Sequence, residues 1–249
     1  MQPTRQVRQM PSNSPKNPNG CGSPHARVEP FLKWPGGKRW LVPRLLNIIR
    51  DIPFERYLEP FAGGAALFFA LQPRAAILSD INADLVNTYL QVKRHASEII
   101  KRLKVLPVDQ QTYNRIRRQE PRSRIERAVR FLYLNRTAFG GIYRLNRQGG
   151  FNVPFGGGER SPTVLWERGL LPPAAQTLRN ADVRVGDFES ILREAGRGDL
   201  IYCDPTYTVS HSNNGFIRYN ETNFRWDDQK RLATLCRDLQ ARGAAVLGL

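Results

Sequence analysis

The stretch RYLEPFAGGAALFFALQPRAAILSD, residues 56–80, decides the fold. A short apolar run ends at Glu59, glycines at 63 and 64 make a turn, and ALFFAL continues as a helix. The plan then repeats. Residues 76–79 read as a strand, Asp80 stands at its tip, and NADLVNTYLQVK follows as a helix. Strand, turn and helix in alternation predict an open α/β sheet, which binds ligands at the carboxyl ends of its strands. Gly63 and Gly64 let a ligand approach the backbone closely, although the spacing is not G-x-G-x-x-G and argues against NAD. Asp80, 17 residues after Gly63, stands where an acid accepts both hydroxyls of a ribose. The same residues equally suit a tight turn followed by a helix N-cap.

Upstream, FLKWPGGKRWLVPRLLNII (31–49) has a turn at Pro35-Gly36-Gly37 and a helical apolar pattern through Leu41, Leu45 and Ile48. Trp34 is placed to stack on a ligand or to join the core, and Lys38 to meet an anionic group. Residues 1–28 hold Pro3, Pro11, Pro15, Pro18 and Pro24 in a polar, basic stretch. Such a segment buries too little apolar surface to offset its ordering entropy, and it is expected to be a disordered tail.

Downstream the character changes. Between 93 and 179 there are 18 Lys and Arg against 6 Asp and Glu, an excess of 12 positive charges out of the chain's net +16. RIERAVRFLYLNR (124–136) places Ile125, Ala128, Val129 and Leu132 on one helical face. The Gly- and Arg-rich TAFGGIYRLNRQGGFNVPFGGGERSP follows. The α/β pattern resumes with DVRVGDFESIL and DLIYCDPTY, then a helix from about Asp227 to Arg242. The reading is therefore a catalytic sheet domain made of 29–92 and 181–249, with a mainly helical insertion at 93–180. AAVLGL (244–249) reads as a strand just begun, so the sheet's last strands are expected to be missing.

The whole chain has 249 residues, 41% hydrophobic, enough for a substantial core. A surplus of 38 Lys and Arg over 22 Asp and Glu attracts polyanions, nucleic acid above all. Cys21, Cys203 and Cys236 lie far apart without neighbouring histidines, which argues against a disulfide framework or a zinc site. No apolar run suits a membrane span or a signal peptide. A soluble cytoplasmic protein is expected.

IYCDPTYTV (201–209) ends an apolar strand in an acid, a proline and a phenol. Asp204 and the Pro205 carbonyl offer two acceptors, and Tyr207 offers a flat face beside them. That set suits a planar amino-bearing ring such as adenine or cytosine. A Pro-bent strand end with a capping Asp is the plainer alternative.

Together FLKWPGGK, EPFAGGAALFF, SDINADLVNTY, FLYLNRTAFGGIYRLNRQGGFNVPFG and IYCDPTY resemble, in order, the Dam-type (D12 class) DNA adenine-N6 methyltransferases. Cofactor segments first, insertion second and D-P-x-Y third resemble the α group of amino methyltransferases. The resemblance implies a Rossmann-like S-adenosylmethionine-dependent methyltransferase sheet acting without a metal. In it Trp34, Lys38, Glu59, Gly63, Asp80 and Asp204 bind the cofactor. Asp187 and Phe188 flank its adenine ring, and Asp204, Pro205 and Tyr207 hold a flipped target adenine. The insertion becomes the target-recognition domain, with Arg144 reading a guanine and Arg136, Asn146 and Arg147 on double-stranded DNA. A monomer is implied, with a cognate restriction enzyme as the further partner the family admits. The chain departs from the family in Thr206, where D-P-P-Y has a second proline, and in Gly140, where many relatives carry asparagine. The second departure leaves the recognised sequence open. Methylation of RNA or of a protein amide, and a catalytically silent DNA-binding fragment, are the alternatives.

Overall fold

The computed structural model describes residues 28–146, 148–157, 161–205 and 224–248. The predicted tail up to residue 27, and also Arg147, Thr206 and Tyr207, lie outside the described residues.

Five strands, β1 (Arg56–Glu59), β2 (Ala76–Asp80), β3 (Ala181–Val185), β4 (Asp199–Cys203) and β5 (Ala245–Gly248), form one sheet in the order β3-β2-β1-β4-β5. Every pairing is parallel, with Leu58 opposite both Ile77 and Ile201. The predicted α/β sheet is thus present. β4 is buried at every position, and a strand covered on both faces reads as a continuous apolar run rather than an alternation. The chain builds outward from β1 through β2 to β3, then returns to the other side of β1 with β4. The order therefore reverses between β1 and β4, the switch point where open sheets form ligand crevices.

Helix α1 (Val42–Ile49) forms where expected but buries Val42, Leu45 and Ile49 and leaves Ile48 exposed, with Leu41 at its N-cap, whereas α2 (Ala66–Leu71) and α3 (Ala83–Lys104) follow the predicted pattern. Asn82 starts α3 by accepting the N–H groups of Asp84 and Leu85 on its side chain, a cap worth about 1 kcal/mol. His95 breaks the helical backbone of α3 (φ −135°, ψ 30°), beside the expected start of the insertion. Then come α4 (Gln110–Arg118), α5 (Arg124–Thr137), α6 (Val164–Glu167) and α7 (Leu171–Leu178). Between α5 and α6 an irregular hairpin is pinned by bridges Ala138–Phe155 and Leu145–Phe151. The chain closes with α8 (Phe188–Leu192) and α9 (Trp226–Ala241) around the last strands. Leu132, Tyr133 and Leu134 of α5 share one buried cluster with Tyr57, Leu78 and Leu200 of the sheet. Helix α5 and the sheet thus share a common core. Among the described residues no helix is long and apolar enough to cross a membrane.

Candidate active site

The glycine turn after β1 has a specific steric reason. Gly63 adopts φ +44°, and a Cβ there would stand 2.8 Å from Cδ1 and 2.9 Å from Nε1 of Trp34. The indole lies directly on the backbone, so only glycine fits. Trp34 is half-buried and runs nearly parallel to Tyr143 (6.3 Å between centroids, 18°) and Phe131 (6.5 Å, 20°). It packs against the core and lines the cleft at once. Next to the glycines, Ala65 also sits at positive φ (48°), a strained conformation of the kind that collects at functional sites.

Asp80 closes this turn from the tip of β2. Its Oδ2 accepts the Gly63 N–H (3.0 Å) and its Oδ1 accepts the Asn82 N–H (2.9 Å), tying the glycine turn to the cap of α3. Burial pushes its carboxyl above the usual carboxylate range, against the pull of those N–H groups. Glu59, at the end of β1, is only 3% exposed. Burial raises its carboxyl to about 8 despite the Tyr57 hydroxyl, which donates to Oε2 at 2.9 Å. The neighbouring Asp204 and Asp80 charges push the same way.

Across the switch point, Asp204 and Pro205 leave the carboxyl end of β4. Asp204 Oδ1 is 3.0 Å from the ammonium of Lys38. Asp187 caps α8 by accepting the Glu189 N–H (3.0 Å) and takes Arg231 on both oxygens (3.0 and 2.9 Å). Phe188 is buried, stacks on Phe61 (5.4 Å, 29°) and lies beneath the Arg231 guanidinium. One cavity of about 520 Å³ joins these parts. Its walls include Trp34, Lys38, Glu59, Gly63, Asp80, Asp187, Phe188, Asp204 and Pro205, and its size is that of a cofactor cleft. Tyr143, Phe61 and Ile81 also line it, none of them singled out from sequence. Each adjoins a motif residue: Tyr143 precedes Arg144, Phe61 lies inside EPFAGG, and Ile81 follows Asp80.

The expected DNA-facing residues divide. Arg144 stands in the same cavity wall, its Nε donating to Asn152 Oδ1 at 2.9 Å. Asn146 is exposed and closes the hairpin tip by accepting the N–H groups of Gln148 (3.0 Å) and Gly150 (2.8 Å). Arg136 must be corrected. It is 5% exposed, donates from Nη2 to the Phe31 carbonyl, and leaves Nε with no partner in the described structure. Burial lowers its guanidinium to about 10. A side chain so enclosed touches no duplex, and its role is to hold chain against chain. A larger, open cleft of about 780 Å³ beside the hairpin is lined by Arg117, Arg118, Arg127 and Arg130, together with Asp84 and Glu120.

An open parallel sheet with an acid-rich, aromatic-floored cleft at its switch point defines a Rossmann-like fold with a ligand-sized crevice. Beside that cleft stands a basic hairpin. The chain belongs to the D12 class N6 adenine-specific DNA methyltransferase family, whose model matches residues 34–247. It is 34% identical over 230 residues to the type II methyltransferase M1.LlaDCHI of Lactococcus lactis, covering 88% of this chain and 80% of that one. It is 35% identical over 218 residues to the DNA adenine methylase of Serratia marcescens (84% and 78%). To the type II methyltransferase M.MjaIII of Methanocaldococcus jannaschii it is 33% identical over 242 residues (88% and 83%). It is an adenine-specific DNA methyltransferase.

Proposed function

We propose that this enzyme methylates N6 of an adenine flipped out of a specific duplex site, with S-adenosylmethionine as donor. One observation carries the reading: Asp204 and Pro205 open into the same cavity as Trp34 and Asp80. A base amine held at the end of β4 is thereby brought beside the cofactor cleft. The residues present fit the cofactor. Trp34 and Phe188 supply aromatic walls, Asp80 keeps further lone pairs for ribose hydroxyls, and the carboxylates favour a cationic ligand. When bound, S-adenosylmethionine supplies an electrophilic sulfonium methyl group.

Adenine N6 is a poor nucleophile because its lone pair is delocalised into the ring. Accepting its two N–H bonds on Asp204 and the Pro205 carbonyl localises that pair and stabilises the positive charge that develops on nitrogen. Tyr207 is assigned the stacking face that replaces neighbouring bases after flipping. Residues 93–180 are assigned to target recognition, with Arg144, Asn146 and Arg147 toward the duplex. One chain carries both cleft and hairpin, so a monomer suffices. The test is incubation with methyl-labelled S-adenosylmethionine and, in parallel, adenine-containing duplex DNA, RNA or bulk protein, then digestion to nucleosides or amino acids. Label is expected in N6-methyldeoxyadenosine; label confined to RNA or protein, or duplex binding without label, would overturn the reading.

A further inference from the structure

The segment that delivers Trp34 to the cleft, residues 30–33, belongs to no helix or strand. Its carbonyls are nonetheless satisfied, all by side chains. Arg39 donates to the carbonyls of Pro30 and Leu32 (2.8 Å each), and Arg136 donates to that of Phe31. Asn135, fully buried in the last turn of α5, grips Lys33 from both sides. Its Oδ1 accepts the Lys33 N–H (3.0 Å) and its Nδ2 donates to the Lys33 carbonyl (2.7 Å), as a β-ladder neighbour would. The same Nδ2 reaches the Gly141 carbonyl at 3.4 Å, at the start of the hairpin that carries Arg144. Gly141 presses on this joint: at φ +68°, a Cβ there would lie 2.7 Å from Cδ and 2.9 Å from Cβ of Lys33.

The geometry points to Asn135 as a positioning residue that sets the Trp34 floor of the cofactor cleft in register with the recognition hairpin. Neither Asn135 nor Gly141 lines the cavity. Asn135 can reach a ligand there through Lys33 and Trp34, whereas Gly141 can reach it either through Lys33 or through its neighbours Ile142 and Tyr143 in the cavity wall. Removing the amide takes one hydrogen bond each from the part-buried Lys33 N–H and carbonyl and from the Gly141 carbonyl, and the chain relaxes by moving Lys33 and the indole beyond it. This inference rests on the S-adenosylmethionine reading given above.

Calorimetric titration of the full chain with S-adenosylmethionine tests it, because affinity and binding-competent fraction are read separately. Asn135→Ala and Gly141→Ala are each expected to weaken binding about tenfold, the equivalent of one hydrogen bond. Gly169→Ala, equally left-handed (φ +60°) but in open space, should bind like the unaltered chain. An unchanged Kd in Asn135→Ala, with or without reduced stoichiometry, overturns the inference and leaves the amide a folding contact. Should Asn135→Ala fail to fold, an unchanged Kd in Gly141→Ala overturns it instead. Absence of binding by the unaltered chain overturns the cofactor reading and the inference together.

Discussion

The ammonium of Lys38 lies 3.0 Å from Oδ1 of Asp204, joining residues 166 positions apart. Both side chains are largely enclosed, at 14% and 19% exposure, so the pair is screened less than a surface one. It fixes the carboxylate's orientation, and in the proposed reaction the other oxygen meets the base amine. As a partner of Asp204, Lys38 should act on kcat; as a cofactor ligand alone, it would act on KM. Lys38→Met is expected to lower single-turnover methylation by about tenfold to a hundredfold, as expected of a misplaced reacting group. Asp204→Ala should cost about 10²–10³, the loss of one charge-stabilising group. A Lys38→Met enzyme with unaltered kcat and a raised cofactor KM would place the lysine on the cofactor instead.

How far the sequence disclosed this site depends on how local each signal is. Gly63, Asp80 and the acid ending β4 were legible because strand-end turns are written in a few consecutive residues. The Lys38–Asp204 pair was not, since nothing in either neighbourhood encodes a partner across the sheet. Arg136 was misassigned by residue type, although its place carried a warning. It stands four residues beyond Leu132 and seven beyond Val129, continuing the apolar stripe of α5 and hence pointing inward. Asn135 was invisible for another reason: it serves a segment with no periodicity, and its bonds to Lys33 span 102 positions.

Glu59 predicts a pH dependence with a definite sign. Its folded carboxyl titrates at about 8 against an ordinary 4.5. Between those values the folded state holds a proton that the unfolded chain has lost. Stability should therefore fall as pH rises from 4.5 through 8, by something on the order of a few kcal/mol. Glu59→Gln should flatten that part of the profile, as read from urea midpoints at pH 6 and 8.5. A cationic ligand in the cleft would favour the carboxylate, so binding in this range should also release a proton. Parallel profiles for the two proteins would remove Glu59 as the source.

Gly63→Ala tests the floor of the cleft. The added methyl would sit 2.8 Å from the Trp34 ring at a backbone φ of +44°, so either the indole or the turn must yield. The expectation is a loss of about 1–3 kcal/mol in stability from the strained backbone and a cofactor affinity lowered at least tenfold, about 1.4 kcal/mol. Thermal melting and cofactor titration report the two effects separately. Wild-type affinity in a folded Gly63→Ala protein would mean that the indole position does not matter to the ligand.

Arg144 and Arg118 should separate base reading from charge. Arg144 is braced by Asn152 and lines the cofactor-sized cavity, whereas Arg118 lines the open basic cleft beside the hairpin. A bidentate arginine–guanine contact discriminates by about 1–3 kcal/mol. Arg144→Ala should therefore lower methylation of the preferred duplex and bring it level with duplexes altered at one flanking base pair. Asn152→Ala, which removes only the brace, should move in the same direction by less. Arg118→Ala should weaken all duplexes alike and reduce the salt slope of binding by about 0.9, one phosphate contact. Methylation rates on a set of single-base-pair variants check the first, and duplex binding measured at two or more salt concentrations checks the second. If Arg144→Ala lowers every duplex equally, the arginine meets phosphate, and sequence reading lies elsewhere on the hairpin.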